Sequence, residues 1–259
     1  VYSVIAYQMA YLKVHYPTAF FQAILHSVKN NPAKMNEYVV EAKEAGLTIT
    51  PPDINRSEYS FTFNKGNIIY GFSSVKGIRK DFIQHLLTIR KEGGPFKSLE
   101  NFLIRISGKW LKQANILPLI YIGAFDRLHQ NRKQLIIDLD SMIQNIEYSG
   151  GSVDLLDILA LKKETCTDFT VEEKLEQEVE YLGTYVSAHP VDFYANKFIS
   201  LSTNKASQLI PNQEVTVLLY SSSVKKIRTK KGESMAFLEG TDQTGKLSVT
   251  LFPTVYRAV

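Results

Sequence analysis

The feature that most constrains this 259-residue chain is a change of apolar period near Pro211. Upstream, apolar groups recur at helical spacing in short runs, each closed by a glycine or a proline. Downstream, "EVTVLLYSSSV", "SMAFLEGTD" and "KLSVTLF" alternate every second residue and are separated by "RTKKGE" and "QTG". Side chains return to one face every 3.6 residues on a helix and every second residue on a strand, so one kind of layer cannot serve both parts. The expectation is a multidomain chain, mainly α, followed by a partial all-β segment of three strands.

Within the helical part, residues 3–28 carry apolar groups on both sides of "HYP", and Pro17 divides them into two packed helices. Residues 33–46 form a third, with Met35, Tyr38, Val39 and Ala42 on one face and Gly46 as its stop. "TPPDINRS" then breaks the pattern, and "YSFTF" and "NIIYGF" flank "NKGN" as a hairpin would. From Ser74 to about Met142 the pattern is again helical and short-paced. Thr170 and Glu173 stand at capping-box spacing, opening a helix that Gly183 ends.

Charge is distributed unevenly along the chain. Residues 56–133 hold fourteen cations and five acids, whereas 134–199 hold four and thirteen. These blocks, +9 and −9, hide within a chain of net charge +4. Residues 225–231 add five cations: Lys225, Lys226, Arg228, Lys230 and Lys231. Such blocks suit a polyanionic partner, and they equally suit a plain solvated face. No apolar run reaches the roughly 18 residues of a membrane span, so no membrane partner is expected. A single cysteine, Cys166, excludes an internal disulfide, and with no signal segment at the start the cytoplasm is the expected location.

Two glycine turns stand inside the +9 block. A tight turn between two helices exposes successive backbone N–H groups, which suit phosphate oxygens. "VKGIRKDF" sets Lys76, Arg79 and Lys80 around Gly77 and Ile78, so charge and donors converge. "IGAFDRLHQNR" offers Gly123, Ala124 and Phe125, with Asp126 placed to cap the next helix and Asn131-Arg132 following. A simple helix connection is the competing reading for each turn.

Five phrases, in order along the chain, carry a resemblance: "AYQMAYLKVHYPTAF", "PPDIN", "GAFDRL" with Asn131-Arg132, "YLGTYVSAHPVDFY" and "IRTKKGESMAFLEGTDQTGKLSVTLFP". Together they resemble the bacterial replicative DNA polymerase III alpha subunits, most closely the shorter form without an inserted exonuclease. The resemblance implies a fragment whose residues 1–55 end a fingers-like helical domain. Residues 56–145 would be a tandem helix-hairpin-helix domain holding primer-template DNA through Lys76, Gly77, Ile78, Arg79, Lys80, Gly123, Ala124, Phe125, Asn131 and Arg132. Residues 146–211 would be an acidic connector, and 212–259 a partial OB-fold touching single-stranded DNA through Lys225, Lys226, Arg228, Lys230, Lys231 and Phe237. Phe252 is expected in the core of that barrel. The first turn departs from the family's glycine, apolar, glycine pattern by placing Arg79 third. It is therefore expected to contribute charge, and the second turn backbone geometry.

The family also implies a sliding-clamp peptide after the hairpin domain, together with other replisome subunits as partners. Ser152, Val153, Asp154, Leu155 and Leu156 stand there, with Ser152 in place of glutamine and Leu156 in place of the aromatic. Paired leucines after Gly150-Gly151 suit an apolar pocket; the first turn of an ordinary buried helix is the reading set slightly ahead.

Polymerase chemistry needs carboxylates on two metal ions roughly 3.5–4 Å apart. The one tempting pair, Asp138 and Asp140, is two residues apart on a helix and does not share a face. No catalytic or metal-binding residue is therefore assigned, and Mg²⁺ is expected only for the parent polymerase. The five histidines show no ligand spacing with each other or with Cys166, and His189 before Pro190 reads as a satisfied structural turn. Two rivals stay open. One is a stand-alone repair or recombination factor that binds nucleic acid; the other is a protein-interaction scaffold.

Overall fold

A computed structural model describes residues 2–64, 66–106, 108–150, 165–198 and 203–258. The chain divides into two compact units, Val1–Ser187 and Ala188–Val259. The expected segments 1–55 and 56–145, and the connector as far as Ser187, thus lie within one unit.

In the first unit, Pro17 sits at the first position of a helix and its lost N–H costs nothing there. The result is α1 (Tyr2–His15) followed by α2 (Pro17–Ser27), with Tyr16 outside helical geometry between them. Phe21 and Leu25, one turn apart, bury the inner face of α2. α3 (Pro32–Glu44) starts where the Asn31 side chain accepts from the Lys34 N–H at 3.2 Å, and it buries Met35, Val39 and Ala42. Gly46, at φ +81°, turns the chain into β1 (Thr48–Thr50). β2 (Thr62–Asn64) and β3 (Asn67–Ile69) form the antiparallel hairpin expected around "NKGN". β1 pairs parallel with β3 to give the order β1-β3-β2, a pairing that the sequence did not announce because three residues are too few to show a period.

Four helices follow: α4 (Lys80–Gly93), α5 (Leu99–Ile106), α6 (Gln113–Tyr121) and α7 (Arg132–Ser149). Their apolar faces join Phe21, Leu25 and Met35 in one continuous core, so the N-terminal helices are packed onto the hairpin region. α8 (Val171–Leu182) opens on the capping box, with Thr170 accepting from the Glu173 N–H and Glu173 accepting from the Thr170 N–H. Gly183 ends it at φ +79°. Glu178, 1% exposed, then accepts from the Val186 and Ser187 N–H groups at 3.0 Å each, and the Ser187 hydroxyl donates to its other oxygen. Lys43 and Asn36 of α3 hold the same segment by way of the Val186 carbonyl and the Thr184 hydroxyl. A buried carboxylate with several donors is satisfied where an unpaired one would be costly.

The second unit begins with α9 (Pro190–Ala195) and carries an antiparallel sheet, β4 (Tyr220–Arg228), β5 (Ser234–Thr241) and β6 (Lys246–Leu251), before the short α10 (Pro253–Tyr256). The first strand starts later than expected and runs on through Arg228, because β5 is long enough to pair with every residue from Val224 to Arg228. The turn after β5 is built on Asp242, whose carboxylate accepts from the Thr244 and Gly245 N–H groups at 2.7 and 2.9 Å. His189 is buried as a satisfied turn residue: Nδ1 accepts from the Val191 N–H, and Nε2 lies 3.2 Å from the Thr241 hydroxyl. Phe252 corrects the expectation of a core position. It is 61% exposed, because β6 ends at Leu251 and Pro253 turns the chain into α10, carrying Phe252 off the sheet. The described strands form a three-stranded sheet, and no barrel closure is described.

Candidate nucleic-acid interface

The first glycine turn is preceded by a single 3₁₀ turn, Phe72–Ser74, in place of a full helix. Phe72 and Val75 fix it in the core, and the Val75 N–H bonds back to the Phe72 carbonyl at 3.1 Å. Gly77 has φ +86°, a region that side-chain-bearing residues avoid, and from there the chain enters α4. Lys76, Gly77, Arg79 and Lys80 are exposed and Ile78 is half-buried, so three cations surround the start of one helix. Arg79 is not free, however. Its Nε and Nη2 donate to Asp81 at 3.1 and 2.6 Å. The Arg79 hydrogen bond holds the Asp81 carboxyl below its usual range, so the pair carries no net charge at neutral pH.

The second turn joins α6 to α7. Gly123, at φ +76°, leaves no room for a side chain, since a Cβ there would lie 2.2 Å from Arg132 Nη2. Four expected contact residues are engaged within the fold. Arg132 is buried: its guanidinium grips Asp126 and donates to the Tyr121 carbonyl at 2.7 Å, bracing the turn from within. Ala124 and Phe125 are 1% exposed, and Phe125 meets Phe102 edge-on at 5.3 Å. These two are core residues because the turn needs an apolar floor. Asn131 caps α7, accepting from the Gln134 N–H at 2.9 Å while its amide donates to the Cys166 carbonyl.

Two outward cations escaped the sequence reading. Arg127, 68% exposed, pairs with Asp53 at 3.1 Å, and Lys133 is exposed in the first turn of α7. Arg127 lies inside "GAFDRL" and Lys133 directly follows Asn131-Arg132, and position in the +9 block was the available signal. The Asp53 pair also joins "PPDIN" to "GAFDR", and the Ile54 N–H donates to the Ala124 carbonyl at 2.9 Å, fastening one motif to the other. The first turn lies near α6, since a Cβ on Gly77 would be 3.8 Å from Pro118.

On the second unit's sheet, Lys225 pairs directly with Phe237, and Phe237 with Thr250. Directly paired residues share a face, so the structure brings Lys225 and Phe237 together. Lys226 and Arg228 fall on the opposite face with Ala236, and Lys230 and Lys231 lie at the turn before Gly232. The five cations therefore serve two faces and a tip. Ser152–Leu156 lies outside the described residues. Asp138 and Asp140 both lie on α7, where Asp138 is buried beside Gln134 and Asp140 bonds Gln113. Among the described residues, no three His, Cys, Asp or Glu side chains converge as a metal site, and no helix is long and apolar enough to cross a membrane.

Comparison with known proteins fits this geometry. The helix-hairpin-helix motif family matches residues 46–135, which include both glycine turns. The DNA polymerase III subunit alpha of Bacillus subtilis (strain 168) is 32% identical over 267 residues, covering 99% of this chain and 24% of that protein. The proteins of the same name from Streptococcus pyogenes and Vibrio cholerae are 33% and 31% identical, covering 98% and 97% of this chain and 23% of each relative. The chain thus spans about a quarter of the length of these relatives. With matches running through nearly every element described above, the chain is consistent with a fragment of a DNA polymerase III alpha subunit.

Proposed function

We propose that this chain is a DNA-holding region of a replicative polymerase and contributes grip without chemistry. The first glycine turn and the helix after it hold the backbone of primer-template duplex through Lys76, Arg79 and Lys80. The second turn, braced internally, holds the register of α6 and α7, with Arg127 and Lys133 outermost. Phosphate contacts of this kind position a duplex without reading its sequence, as a replicative enzyme requires. On the sheet, Lys225 beside Phe237 combines a backbone charge with a stacking ring, the pairing that suits single-stranded DNA in an OB-fold. Nucleotidyl transfer on Mg²⁺ belongs to the whole polymerase. A sliding clamp and other replisome subunits are its proposed partners, the clamp through Ser152–Leu156.

The observation that carries this reading is the placement of three exposed cations about the Gly77 turn inside the helix-hairpin-helix match. The test is fluorescence anisotropy of a primed duplex at a series of salt concentrations. With Arg79 paired to Asp81, the two lysines neutralise two phosphates and give a slope of about −1.8 for log affinity against log salt. No binding at low salt, or a flat salt dependence, overturns it.

A further inference from the structure

A cleft of about 450 Å³ lies in the first unit, where the turn between α2 and α3, the 3₁₀ turn before Gly77 and the end of α8 meet. Its walls are fastened to one another. The Lys76 N–H donates to the Tyr181 carbonyl at 2.9 Å, the Ser73 N–H donates to Tyr59, and Gly183 packs so closely on Pro32 that a Cβ would lie 3.2 Å away. The volume falls within the roughly 300–1,000 Å³ of small-ligand sites.

The polar groups lining this cleft are mostly donors, and Lys29 Nζ lies over the Tyr59 ring, 5.7 Å from its centre. Lys29 and Lys76 line it, and among the described residues neither has a carboxylate partner. Ser73 and Ser74 line it too, and both hydroxyls are buried with no hydrogen-bond partner. Ser74 is 9% exposed. A buried hydroxyl without a partner costs about 1–3 kcal/mol, so an acceptor that reached these two would be favoured. Asn30 adds an amide, and Glu180 is the one carboxylate among the lining residues. Two ammonium groups, two hydroxyls and an amide call for a ligand rich in acceptors and negatively charged, which is the chemistry of a phosphate group.

We propose that this cleft binds a phosphate group through Lys29, Lys76, Ser73 and Ser74, beside the duplex-gripping turn, with which it shares Lys76. The phosphate comes either from a DNA backbone or from a free anion. Only the DNA source rests on the duplex reading above.

The test titrates inorganic phosphate into the ¹⁵N-labelled chain and follows the amide resonances of residues 73–76. Saturable shifts are expected, weakened about tenfold in Lys29→Met and in Ser74→Ala and restored in Lys29→Arg. Unfolding midpoints within the wild-type range show that the variants fold. Phosphate that shifts no amide of residues 73–76, or shifts that ignore Lys29 and Ser74 alike, overturns the site. A parallel anisotropy titration with primed duplex separates the sources: competition by phosphate and weaker duplex binding in Lys29→Met assign a backbone phosphate, and unchanged duplex binding assigns a free anion. Lys80→Met lies outside the cleft. If it weakens duplex binding while phosphate leaves residues 73–76 unmoved, the cleft fails and the duplex reading stands.

Discussion

Arg132 holds Asp126 through Nε at 3.0 Å and Nη2 at 2.7 Å, with 5% of the arginine side chain and 40% of the aspartate exposed. The pair occupies the space that a side chain on Gly123 would need. Gly123→Ala therefore meets two penalties, a left-handed backbone costing about 1–2 kcal/mol and displacement of the ion pair. A loss of about 3 kcal/mol in urea unfolding is expected. Gly46→Ala has no such neighbour within 4 Å and should lose only the backbone part. Equal losses at the two positions would remove the ion pair from the account.

The exposed pair between Arg79 and Asp81 behaves differently. Exposed pairs contribute little to stability, so Asp81→Asn should leave the unfolding midpoint close to wild type. It frees the Arg79 fork and removes a negative charge from the first turn of α4, where phosphate is proposed to sit. Low-salt duplex affinity should rise about five- to tenfold, and the salt slope should steepen by about one phosphate. Unchanged affinity in anisotropy would take Arg79 out of the interface.

Much of the architecture was legible because it rests on local rules. Pro17 at a helix start, the Thr170 and Glu173 box, Gly183 after α8 and the change of period before β4 are each decided within a few residues. Partnership across the chain was not legible. The charge of Arg132 counted toward DNA in the sequence, yet a fold that needs the turn braced from inside spends it on Asp126. Phe252 read as core by its apolar ring, and Pro253 decided otherwise by leading the chain out of the sheet. Lys225 and Phe237 are twelve positions apart, and only the β4–β5 register makes them neighbours.

Acid stability of the second unit should depend on Asp242. Burial pushes its carboxyl upward, but N–H groups of Ala206, Thr244 and Gly245 and the Thr244 hydroxyl outweigh burial and hold it below the usual range. A depressed folded value contributes stability that is complete above the ordinary aspartate range and is lost as pH falls through the folded value. Wild type should therefore lose stability progressively below about pH 4. Asp242→Asn should be less stable at pH 7 and should lose less on acidification, read from thermal midpoints followed at the sheet. An identical pH profile in the variant would place the acid sensitivity elsewhere.

The Lys225–Phe237 pair separates single-strand binding from a general attraction of positive charge. Stacking of a base on an aromatic ring contributes about 1–3 kcal/mol, whereas an exposed lysine acts through salt-dependent charge. Phe237→Ala should weaken binding of an oligo-dT strand about tenfold with its salt slope unchanged, because no charge is lost. Lys225→Gln should lower affinity less and flatten the slope by about one phosphate. Lys226 shares the Ala236 face, opposite Phe237, so Lys226→Gln should fall short of Lys225→Gln in its effect on the stacked strand. Equal losses for the two lysines, with Phe237→Ala at wild-type affinity, would mean that charge alone attracts the strand and that no stacking face exists there.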